Sequence, residues 1–111
     1  MAIKESIIFY DNINSIPTIE KTIGIVNSDL LQLEVTGTGK FKLQIYAQLS
    51  NNGDYFSVAA VSDKDFLINN PITSIGSYKI DVSGFLRIKI VVEELTEGNL
   101  TCKGMVVSMQ W

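Results

Sequence analysis

Along most of this chain apolar and polar residues alternate with a period of two, the pattern of strands that turn one face to a core. The clearest run is Lys40 to Ser50. Phe41, Leu43, Ile45, Ala47 and Leu49 fall on one side; Lys40, Lys42, Gln44, Tyr46 and Gln48 fall on the other. Gly76 to Val92 repeats the pattern twice around a Ser83-Gly84 turn. Tyr78, Ile80 and Val82 alternate with Lys79, Asp81 and Ser83, and then Leu86, Ile88, Ile90 and Val92 alternate with Arg87, Lys89 and Val91.

The remaining elements fill in between. Ile3 to Tyr10 predicts a first strand, closed by Asp11-Asn12 and a connection through Pro17, whose missing amide breaks pairing. Thr18 to Val26 predicts a second, with Ile19, Ile23 and Ile25 on one parity. Lys21 shares that parity, which implies a bulge or a sheet edge. Leu30 to Thr36 turns Leu31, Leu33 and Val35 inward. It leads through Gly37-Thr38-Gly39, a glycine hairpin loop, into the Lys40 strand. Asn51-Asn52-Gly53-Asp54 closes the next hairpin before Tyr55 to Val61, and Ser62 to Ser74 reads as a looser segment. Glu93 to Asn99 makes the last turn, before Leu100 to Trp111. In that last strand Leu100, Cys102 and Val106 lie opposite Met105, Val107, Met109 and Trp111, and Gly104 is where a bulge would switch faces. Eight or nine short strands without helical periodicity predict a single all-β domain over residues 1–111, an antiparallel β-sandwich or jelly roll.

Charge and composition narrow the partners. A net charge of −3 with scattered Lys and Arg lacks the clustered bases that neutralise a nucleic-acid backbone, so nucleic acid is not expected as a partner. No apolar stretch is long enough for a membrane span, and the start MAIKESIIFYDN lacks the form of a signal peptide. Synthesis in a cytoplasm without classical secretion is the expectation. The single cysteine, Cys102, is expected to be a buried free thiol.

Candidate chemistry is sparse. The chain has no histidine, which removes the usual general base and the commonest zinc ligand. Asp63 with Asp65, and Glu93 with Glu94 and Glu97, are carboxylate groups in polar loops, where solvation is the ordinary state. A calcium loop from Asp63, Asp65 and Asn69 or Asn70 lacks the glycine and bidentate glutamate of a dedicated site. No catalytic residue, cofactor or metal is expected. Tyr46, Tyr55 and Trp111 could stack sugars or anchor an interface. Phe85, Val91, Met105, Val107, Met109 and Trp111 exceed what one core can absorb, and they are the expected interface of an assembly subunit.

The segment from Leu30 to Val61 and that from Gly76 to Val107 resemble small β-sandwich proteins of tailed-bacteriophage structural modules. The resemblance is carried by Asn51-Asn52-Gly53-Asp54-Tyr55-Phe56, by the Gly-x-Tyr-x-x-Asp-Val-Ser-Gly-Phe segment from Gly76 to Phe85, and by the Gly98-Asn99 turn into the closing strand. The acidic Glu93-Glu94 rim and the apolar first strand depart from that pattern. The resemblance implies a virion protein without enzyme activity. A capsid decoration protein is the first expectation; a tail or baseplate accessory protein that binds host-wall carbohydrate is the alternative. It further implies the major capsid protein or tail proteins as partners, and a homo-oligomer with three copies favoured.

Overall fold

The computed structural model describes residues 2–109, with side-chain environments for residues 3–108. Ten strands form two antiparallel sheets, and no helix occurs among the described residues. They are β1 (Ala2–Ile13), β2 (Lys21–Gly24), β3 (Leu30–Gly37), β4 (Lys40–Gln48), β5 (Phe56–Val58), β6 (Ala60–Ser62), β7 (Ile68–Asn69), β8 (Gly76–Asp81), β9 (Arg87–Thr96) and β10 (Leu100–Met109). The first sheet runs β1-β10-β3-β8-β6-β7 and the second β2-β9-β4-β5. Strand pairs nest from the outside in: β1 with β10, β2 with β9, β3 with β8, β4 with β5. That nesting is a jelly roll, with β6 and β7 added at one edge.

The core is what the alternation predicts. Leu31, Leu33, Val35, Leu43, Ile45, Ala47, Tyr78, Ile80, Ile88 and Ile90 are buried between the sheets. Lys21 shares the inward parity because β2 is an edge strand, where the side chain can reach solvent.

Several boundaries differ from the sequence reading, each for a physical reason. The second strand shrinks to Lys21–Gly24 and leaves Ile19 exposed. Leu49 is not inward: β4 ends at Gln48, and Leu49 is 62% exposed. Tyr55 to Val61 is not one strand. Ala59 separates β5 in the second sheet from β6 in the first, so the chain crosses the sandwich there. The loose segment contains β7, paired to β6 through Ala60–Asn69 and Val61–Ile68. The acidic turn is shorter than expected, because β9 continues to Thr96. A register shift opposite Lys42 and Leu43 leaves Glu93 unpaired and lets Leu95 return inward opposite Phe41.

Gly104 is not a bulge. β10 keeps its phase, with Leu100, Cys102 and Val106 all buried. The bulge lies across from it in β1, where Ile8 pairs with Lys103 and Tyr10 with Cys102, leaving Phe9 between. Both Phe9 and Tyr10 therefore face the core. A Cβ on Gly104 would stand 2.8 Å from Phe9 Cε2 and 3.0 Å from Leu31 Cδ1, so the glycine makes room for the bulged ring.

At the nearby Leu100 end of β10 the Gly37-Thr38-Gly39 loop locks against the β9–β10 turn. Thr38 N–H donates to Asn99 O at 3.0 Å, and a Cβ on Gly37 (φ +148°) would stand 2.1 Å from that same oxygen.

Candidate functional site

The outer face of the second sheet gathers polar and aromatic side chains. Tyr46 on β4 is the register partner of Lys89 on β9 and of Ser57 on β5. Lys89 Nζ lies 4.3 Å from the ring centre of Tyr55 and 5.6 Å from that of Tyr46, and it pairs with Glu20 at 3.4 Å. The Tyr46 hydroxyl reaches Glu93 Oε2 at 3.5 Å.

Tyr55 owes its position to the hairpin before it. Arg87 donates through Nη1 to Gln48 Oε1 at 2.8 Å and through Nη2 to Asn51 Oδ1 at 2.9 Å, while Gln48 Nε2 donates to Gly53 O at 2.8 Å. These bonds hold residues 51–54 against the sheet. They also explain why Gln48, on the outward parity, is buried. Gln44 is buried likewise, donating to Asn70 from the segment that bridges Leu43 through Ile72. The two tyrosines expected to stack sugar are thus brought together, with a lysine near both rings. Trp111, the third member of that set, lies outside the described residues.

The expected interface residues do not form one surface. Val91 is half-buried on the outer face of the second sheet, beside Gln44. Phe85, in the β8–β9 connection, packs against the core and meets Phe56 edge to face at 5.6 Å. Met105 and Val107 face outward from the first sheet, between β1 and β3; Met105 is 37% exposed and Val107 half-buried. The Met109 side chain and Trp111 lie outside the described residues.

A more exposed apolar surface lies elsewhere, outside the residues the alternation singles out. At the β6–β7 tip Phe66 is 79% exposed, Leu67 62% and Ile68 74%, with Val61 opposite Ile68. The loop is fixed by Phe66 N–H to Ser62 O and Ser62 N–H to Leu67 O, both 2.9 Å. The signal was present in the sequence: three successive apolar residues follow Asp63-Lys64-Asp65 inside a polar segment.

Asp63 and Asp65 are each engaged by separate partners. Asp63 is bonded by Lys79, by Ser77 Oγ at 2.6 Å and by Gln32 Nε2 at 2.7 Å. These hydrogen bonds, Lys79's first, hold its pKa down at about 2. Asp65 accepts from Leu67 N–H at 3.1 Å instead. Cys102 is buried, and burial pushes its thiol up to about 12, which suits a packing role and not a nucleophile.

Comparison with known proteins adds relatives. The family model described as XepA matches residues 4–106. The solved structure of SPBc2 prophage-derived protein YomS is similar at TM-score 0.86 and 22% identity, covering 97% of this chain and 96% of that one. PBSX exported protein XepA is similar at TM-score 0.88 and 21% identity, covering 96% of this chain but 38% of that longer one. At such identities the two structures speak for the fold alone. No curated protein matches the chain. With the family model spanning all but the chain's ends, this protein belongs to the XepA family.

Proposed function

We propose that this chain is a non-enzymatic structural protein of a phage particle, and that it decorates the assembled capsid by seating apolar surface against neighbouring capsid subunits. The observation that carries the proposal is the β6–β7 tip. Phe66, Leu67 and Ile68 stand out from a loop that is itself hydrogen-bonded, so little ordering entropy opposes their burial. Three successive exposed apolar residues, one of them aromatic, form the kind of patch that marks an interaction surface. Burial contributes about 25 cal/mol per Å² of apolar area, and many copies on one particle multiply it. Self-association through Ile8, Met105 and Val107 on the outer face of the first sheet fits the same role.

The test is co-sedimentation of the purified protein with heads and with tails separated from one phage preparation. Saturable binding to heads alone, lost in Phe66→Ser, is the expected result. Binding to tails alone would overturn capsid decoration. Native mass measurement counts the copies that self-associate.

The convergence of Tyr46 and Tyr55 favours a second reading: a tail or baseplate accessory protein that binds host-wall carbohydrate on the outer face of the second sheet. Binding of the isolated protein to host cell walls, lost in Tyr46→Ala, would move the weight to that role.

A further inference from the structure

We propose that the outer face of the second sheet, at Tyr46, Tyr55 and Lys89, binds a glycan or polyol polymer that carries phosphodiester groups. The proposal rests on the carbohydrate reading just given and deepens it, from sugar in general to a polymer with a repeating negative charge.

What Tyr46, Tyr55 and Lys89 themselves offer a ligand is two aromatic faces and a cationic donor. Two tyrosine rings and one ammonium come together, the ammonium 4.3 Å from the ring centre of Tyr55 and 5.6 Å from that of Tyr46. The neighbouring cation is already committed: both terminal nitrogens of Arg87 bond Gln48 and Asn51, so its planar fork serves the hairpin. Lys89 is left as the positive charge at the site. A lysine ammonium is a point charge with three rotatable donors, and it receives a phosphate without the planar match that an arginine–carboxylate pair requires. Ring faces of tyrosine accept the C–H faces of sugar or polyol units beside it.

Acidic groups also face this region. Glu20 pairs with Lys89 at 3.4 Å and is about half exposed, with 46% of its side chain open to solvent. The Lys89 side chain is itself 23% exposed, so the pair is open to solvent chiefly on the Glu20 side, and a ligand anion that replaces Glu20 restores the pairing of Lys89. Glu93 approaches the Tyr46 hydroxyl only at 3.5 Å, and Asp54 precedes Tyr55 in the hairpin. Glu94 is the register partner of Lys42.

The polymeric form follows from the spacing of charge. Lys42 lies four residues along β4 from Tyr46, on the same outward parity, about 13 Å away at roughly 3.3 Å per residue. A chain with a phosphate in every unit can meet Lys89 and Lys42 together. A single sugar cannot.

The test titrates the full chain, followed by backbone amide NMR, with three oligomers of matched length: poly(glycerol phosphate), polyglucuronate and neutral dextran. The expected result is poly(glycerol phosphate) binding about 10-fold tighter than dextran, with shifts at residues 46, 55 and 89 and weakening at high salt. Lys89→Gln should remove that preference, and Tyr46→Ala should weaken both oligomers. Tyr46→Phe keeps the ring and separates loss of the hydroxyl from loss of the platform. Equal binding of dextran and phosphate polymer would leave the carbohydrate reading standing and overturn this one. So would tighter binding of polyglucuronate. Binding of none of the three, or binding that Tyr46→Ala leaves unchanged, would overturn both.

Discussion

The Tyr10 hydroxyl, on the outermost strand of one sheet, donates to the backbone carbonyl of Ile90 in the other and accepts the backbone amide of Lys21. One phenol therefore joins β1 to both β9 and β2 across the sandwich. It can do so because the β1 bulge turns Tyr10 inward together with Phe9. Tyr10→Phe keeps the ring but leaves the Ile90 carbonyl without this cross-sheet donor. The expected cost is about 1–2 kcal/mol, read as a lower urea midpoint at unchanged slope. An unchanged midpoint would show that the bridge contributes nothing to stability.

Gly104→Ala places a methyl against Phe9 and Leu31, where the closest approach is 2.8 Å. Destabilisation of about 1–3 kcal/mol is expected from overpacking. Phe9→Leu in the same chain should recover part of that loss, giving a non-additive double-mutant cycle. Strict additivity would separate the two residues energetically.

Alkaline stability should follow Cys102 and Tyr10. Burial raises both groups, the thiol from 9.0 to about 12. An unfolded chain releases these protons first, so the stability present below the unfolded thiol value is lost as pH rises from about 9 towards 12. Cys102→Ala should flatten that decline, measured by urea unfolding at stepped pH. In the native protein the thiol should react with iodoacetamide only at the rate of unfolding.

Asp63 should govern the acid side. Its pKa is lowered from 3.8 to about 2, chiefly by the Lys79 hydrogen bond. The contribution is therefore present above about 4 and lost as pH falls through about 2. Carbon-detected NMR should place its titration midpoint near 2, and Lys79→Met should move that midpoint upward.

Phe66→Ser and Ile68→Ser should leave the fold intact, since both side chains stand in solvent. Stability should change by no more than about 0.5 kcal/mol. Loss of particle binding with an unchanged thermal midpoint would locate the contact at the tip.

Period-two alternation and turn chemistry alone determined the all-β class, most strand positions, the inward faces of Leu31 to Val35 and Phe41 to Ala47, and the burial of Cys102. Both are local, because a pleated strand sends each side chain to the face its parity dictates. Tertiary structure decided whatever depends on which strand lies beside which. It chose the jelly-roll order and moved the bulge from Gly104 to Phe9, because the space above a glycine is visible only once its neighbour is in place. It buried Gln44 and Gln48 under loops that parity alone points to solvent. It scattered Phe85, Val91 and Met105 over three surfaces, and it brought Tyr46, Tyr55 and Lys89 to one. Residues far apart in sequence meet only through strand pairing, and alternation carries no record of the partner.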